Sequence, residues 1–104
     1  MKIYNIAISE PAEFDIRGIA EYIALELKEP LTAENMISGI GEAIFELEQF
    51  PYRYPLVKDE KLASQGIRML PVGNYIVFYV ISESNDSIVV TRILYGKREW
   101  NMFL

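Results

Sequence analysis

The chain opens on alternating apolar and polar positions, Lys2-Ile3-Tyr4-Asn5-Ile6-Ala7-Ile8-Ser9, rich in β-branched and aromatic residues. That period of two predicts a first strand over 2–9, bounded by Pro11. The period then changes. Ile16, Ile19, Ala20, Ile23, Ala24 and Leu27 recur at helical spacing, with Asp15, Arg17, Glu21 and Glu26 off the stripe. Ser9 is suited to cap this helix, with Glu10 and Pro11 in its first turn, and Pro30 is expected to stop it. A second stripe, Met36, Ile40, Ala43, Ile44 and Leu47, predicts a second helix capped by Thr32 and ended by Pro51. The short Lys28-to-Leu31 connection makes the two helices antiparallel neighbours. Gly39 and Gly41 inside the second helix cost about 1 kcal/mol each relative to Ala. They predict a close approach to the first helix.

Residues 51–66 read as a polar loop with two prolines. Three strand-like runs follow, Ile67–Pro71, Tyr75–Ser82 and Ser87–Tyr95, separated by the turn residues Pro71-Val72-Gly73-Asn74 and Ser84-Asn85-Asp86. Tyr75 to Ile81 is apolar on both faces, which predicts the central strand. The expected order is βααβββ in a single domain over residues 1–104. Its class is α+β, a helical hairpin packed on one face of a four-stranded, mainly antiparallel sheet.

Composition narrows the chemistry. The chain has no Cys and no His, which removes disulfides, serine-histidine and cysteine-histidine nucleophile systems and the usual ligands of transition metals. No metal site and no cofactor are expected. No apolar run approaches the roughly 20 residues that span a bilayer, and the start lacks the apolar core of a signal peptide. The default expectation is a cytoplasmic protein with no membrane partner. The net charge of −5 is uneven: residues 1–50 carry three bases against ten acids, residues 51–104 seven against five. An anionic partner would therefore meet the second half.

The bases of that half are few enough to place. Arg68 lies on the first strand of the meander and Arg92 on the last, with Lys97 and Arg98 just beyond. Adjacent antiparallel strands are expected to bring Arg68 and Arg92 to one side of the sheet, where guanidinium groups suit a phosphate; the alternative is that Arg92 pairs with a carboxylate. Glu42 with Glu46 and Asp59 with Glu60 read as solvated faces. Tyr75 and Tyr79 share a strand face and read as packing residues. Trp100, Met102 and Phe103 form an apolar tail expected to fold back onto the sheet.

The order βααβββ, the opening Ile8-Ser9-Glu10-Pro11-Ala12-Glu13-Phe14-Asp15-Ile16, the stretch Gly66-Ile67-Arg68-Met69-Leu70-Pro71-Val72-Gly73-Asn74-Tyr75-Ile76-Val77-Phe78-Tyr79 and the close Val89-Val90-Thr91-Arg92-Ile93-Leu94-Tyr95-Gly96-Lys97-Arg98 together resemble the RelE/ParE superfamily of toxins. The resemblance covers nearly the whole chain. It implies the toxin of a type II toxin–antitoxin module, with growth inhibition and plasmid stabilisation as its biology and a cognate antitoxin as its partner. ParE-like members poison DNA gyrase without nuclease chemistry; RelE-like members cleave messenger RNA in the ribosomal A site. On the RelE pattern, Arg68, Tyr95 and Arg98 are the candidate catalytic residues. The sequence departs from that pattern: the second catalytic arginine falls at Ile76, the C-terminal tyrosine at Leu104, and no histidine replaces it. The ParE-like reading makes Arg68, Arg92, Lys97, Arg98 and Trp100 the target-binding candidates. A ribosome-dependent endoribonuclease and a degenerate toxin that only binds its antitoxin are the alternatives, and a second copy of the chain is a further candidate partner.

Overall fold

A computed structural model describes residues 2–97 and 103–104. Strand β1 (Asn5–Ile8) leads into helix α1 (Glu10–Glu21), a π-helical turn (Tyr22–Glu26) and helix α2 (Pro30–Glu46). A 3-10 turn (Pro51–Arg53) and a short helix α3 (Glu60–Ser64) precede the meander β2 (Arg68–Val72), β3 (Tyr75–Ser82) and β4 (Ser87–Tyr95). The sheet order is β1-β4-β3-β2. β1 runs parallel to β4, and the other two pairings are antiparallel. The α+β class and the helical hairpin over a four-stranded sheet are as the pattern predicts.

Local chemistry explains the hairpin. Ser9 caps α1 by accepting the Ala12 N–H at 3.2 Å, while its hydroxyl donates to the Thr91 carbonyl at 2.8 Å. The cap therefore also fixes the helix to β4. The first helix does not end at Pro30. It widens into a π turn, in which the Leu27 N–H donates to the Tyr22 carbonyl at 3.1 Å, and reverses at Lys28, whose φ is 56°. Pro30 instead opens α2, where its missing N–H has no helical partner to lose. Thr32 lies inside α2 and is not its cap; Glu29 holds that position.

The sheet is covered on both faces, which is why β3 is apolar throughout. On the hairpin side Ile19, Ile40, Ile44 and Leu47 pack against Val77, Tyr79, Val90 and Ile93. On the other side Ile76, Phe78 and Leu94 lie under Val57, Leu62 and Ile67. Residues 51–66 are thus more than the expected polar loop. Asp59 accepts the Leu62 N–H at 3.0 Å and caps α3, which carries Leu62 into this second cluster. Phe103 and Leu104 pack there too; Trp100 and Met102, the other residues of the expected apolar tail, lie outside the described residues.

The glycines of α2 do not meet α1. A Cβ on Gly39 would lie 4.0 Å from Val72, and one on Gly41 would meet nothing within 4 Å. The expectation of a glycine-mediated helix contact is overturned. Gly73 is different: its φ is 57°, and a Cβ there would stand 3.0 Å from Met36 of α2.

A tyrosine-lined groove and its surroundings

β1 ends at Ile8, opposite Val90, while β4 continues to Tyr95. From Thr91 onward the edge of β4 has no neighbouring strand, and its backbone groups need other partners. Helix α1 supplies them. Asp15 accepts the Ile93 N–H at 2.9 Å, and the same carboxylate receives Arg92 in a fork, Nε at 2.7 Å and Nη2 at 2.8 Å. The remaining arm of Arg92 donates to the Phe103 carbonyl at 3.1 Å, and its guanidinium lies 5.7 Å from the Phe103 ring. The Asp15 and Arg92 side chains are 10% and 23% exposed. Asp15 in turn raises the pKa of Arg92. Arg92 therefore joins helix, strand and tail; its pairing with a carboxylate is the structural alternative allowed by the sequence.

Where α1 leaves the sheet, a groove of about 900 Å³ opens between the end of the hairpin and the ends of β3 and β4. Ile19, Ile23, Ile93 and Leu94 lie at its base, with Met36 of α2 at one end. Its rim is aromatic: Phe14 is 70% exposed, Tyr22 52% and Tyr95 42%. Tyr75 and Tyr95 meet edge to face, with ring centroids 5.8 Å apart. Burial, followed by the nearby Tyr22 and Tyr95 hydroxyls, raises the pKa of Tyr75, so that phenol remains a neutral donor at physiological pH. Tyr95 thus belongs to this groove.

Arg68 lies elsewhere. It stands opposite Tyr79, whereas Arg92 stands opposite Phe78, and those two β3 residues belong to the clusters on opposite faces. The expectation that Arg68 and Arg92 share one side is corrected by this register. A bulge between Phe78 and Tyr79 shifts the β3–β4 pairing at the same place. Arg68 donates to the Tyr54 carbonyl at 2.7 Å and lies over the Tyr52 ring, 5.0 Å from its centroid. Tyr95 pairs with Tyr75, which is opposite Val72, so four residues of strand, roughly 13 Å, separate Arg68 from Tyr95 along the sheet. The two are not brought together. Lys97 is exposed just after β4, where the Gly96 N–H donates to the Asn74 carbonyl at 2.8 Å. Arg98 and Trp100 lie outside the described residues.

A polar cluster unanticipated from the sequence closes the opposite end of the sheet. Glu83, in the β3–β4 turn, accepts Lys2 Nζ at 2.8 Å and the hydroxyls of Tyr4 and Tyr52. The lysine, followed by the two phenols, holds its carboxyl down to about 2. Three segments remote in sequence meet there, and nothing in their spacing announces it. Among the described residues, no three acidic side chains gather where they could hold a metal ion. No helix among them is long and apolar enough to cross a membrane.

Comparison with known proteins agrees with the resemblance in the sequence. Residues 6–100 match the family model described as ParE toxin of type II toxin–antitoxin system, parDE. No curated protein matches. Among solved structures, the chain is similar to the toxin–antitoxin complex RelBE2 from Mycobacterium tuberculosis, with 19% identity and a TM-score of 0.65 over 89% of this chain and 98% of that one. It is also similar to the chromosomal ParDE toxin–antitoxin system from P. aeruginosa, with 18% identity and a TM-score of 0.74 over 91% of this chain and 98% of that one. At those identities the two structures speak for the fold, while the family match spans nearly all of the sequence. The chain belongs to the ParE toxin family of type II toxin–antitoxin systems.

Proposed function

We propose that this toxin arrests growth by binding an essential target such as DNA gyrase, and that a cognate antitoxin neutralises it by laying a helix into the tyrosine-lined groove. The match to ParE toxins over residues 6–100 carries the reading. The arrangement of side chains supports it. Cleavage of RNA through a 2′-hydroxyl needs a base, an acid and positive charge at one phosphate. Arg68 and Tyr95 are separated along the sheet, and Arg92 is committed to Asp15. The groove is apolar and open, the form that receives the apolar face of an amphipathic helix.

Inducing the chain alone in a bacterium that carries a DNA-damage reporter tests the target. Growth arrest with the reporter on is the expected result. Arrest with the reporter silent and messenger RNA cut in a translating extract would overturn it in favour of an endoribonuclease. Exposed Lys97, just beyond the Tyr95 end of β4, and Arg68, several residues of strand away, are two separate candidate contacts for the target. Arg92→Ala, by contrast, is expected to act through stability rather than through target contact.

A further inference from the structure

Several aromatic rings of this protein already have a cation of the chain beside them: Lys2 lies 5.0 Å from the centroid of Tyr4, Arg17 5.9 Å from Phe14, Arg53 5.9 Å from Tyr54, Arg68 5.0 Å from Tyr52 and Arg92 5.7 Å from Phe103. Tyr22, Tyr75 and Tyr95 have none among the described residues, although all three line one groove and two of them pack edge to face. A group of phenol rings around an apolar recess is the form that takes up an ammonium or guanidinium group over its π-faces. The carboxylate nearest the groove, Asp15, is already taken by Arg92 and Ile93.

The charge around the groove points the same way. The hairpin segment, residues 10–48, carries ten acids against the two bases Arg17 and Lys28. Glu21, Glu26 and Glu29 lie along the stretch that contributes Tyr22 and Leu27 to the groove. This field favours a basic segment over an acidic one.

We infer that the helix seated in the groove carries an arginine or lysine on its apolar face, and that this side chain inserts among Tyr22, Tyr75 and Tyr95 as the specificity-setting anchor. The inference rests on the antitoxin reading above and adds the chemistry of the segment. An amphipathic helix with only apolar anchors would fill the recess and leave the three rings without their cation.

The test uses two synthetic helical peptides of about 16 residues, with leucines along one face. One carries arginine midway along that face, the other citrulline, which keeps the shape and loses the charge. Fluorescence anisotropy of the labelled peptides reads binding to the intact chain. The arginine peptide is expected to bind about tenfold more tightly. That preference should disappear in Tyr22→Leu and Tyr95→Leu, two positions exposed enough to tolerate the change. Equal affinity for both peptides, each weakened by Phe14→Glu at the rim, would overturn the cation anchor and leave the groove as a helix seat. No binding of either peptide, or binding untouched by Phe14→Glu, would overturn both the anchor and the groove reading.

Discussion

At the scale of single residues, the Asp15–Arg92 pair and Glu83 do unequal work. Asp15 and Arg92 are shielded by helix, strand and tail, so removing either leaves a partly buried charge without its partner. Arg92→Ala is expected to destabilise the fold by about 3 kcal/mol, read by urea denaturation. Glu83 sits in water and contributes through pH. Its carboxyl titrates near 2 when folded and near 4.5 when free, so its contribution is complete above about 4.5. That contribution fades as pH falls toward 2. Glu83→Gln should therefore flatten the acid limb of a stability curve over that window and leave the neutral region nearly parallel. Neither role was legible from residue type. Arg92 is one of seven bases in its half of the chain, and only the missing strand beside Thr91–Tyr95 explains why a carboxylate waits for it.

At the scale of elements, the glycines separate local preference from tertiary demand. Gly41 lies mid-helix with open space where a Cβ would go, so Gly41→Ala should raise stability by about 0.5–1 kcal/mol in thermal melts. Gly73→Ala should lower it by about 1–2 kcal/mol, because a left-handed φ and the Met36 side chain both oppose a Cβ. The apolar periods located both helices of the hairpin and reproduced β3 and β4 to the residue. They misjudged what depends on backbone geometry. Pro30 reads equally as a stop and as a first helical residue, and Lys28 carries no sign that it will reverse the chain. α3 is five residues long, below the length at which a helical period is visible, although Asp59 and Leu62 were there to mark its cap and its buried side.

At the scale of the whole molecule, the groove and the sheet ends are separate territories. The groove is aromatic, built from the end of the hairpin, whereas Arg68 stands several residues of strand away beside the Pro51–Arg53 turn. Substituting Phe14 with Glu is expected to leave growth arrest intact and abolish rescue by a coexpressed antitoxin, which colony counts with and without the antitoxin would show. If arrest is lost as well, target and antitoxin share the groove. The family was legible because it lies in the order of elements and in phrases carried by β2, β3 and β4. The site was less so, since its rings come from positions 14, 22, 75 and 95, which no short motif unites.

The placement of β4 between β1 and β3 also governs when this protein can exist during its own synthesis. Asn5 waits for Ser87, more than eighty residues downstream, before the first strand has any partner. An emerging chain can form its helical hairpin early, but the hairpin's apolar face has no completed sheet to cover until the last strand leaves the ribosome. Prematurely terminated products lacking β4 lack the strand that carries Arg92 and Tyr95 and that joins β1 to β3. The complete sheet is thereby confined to chains translated through their final strand, an order of assembly written into strand order.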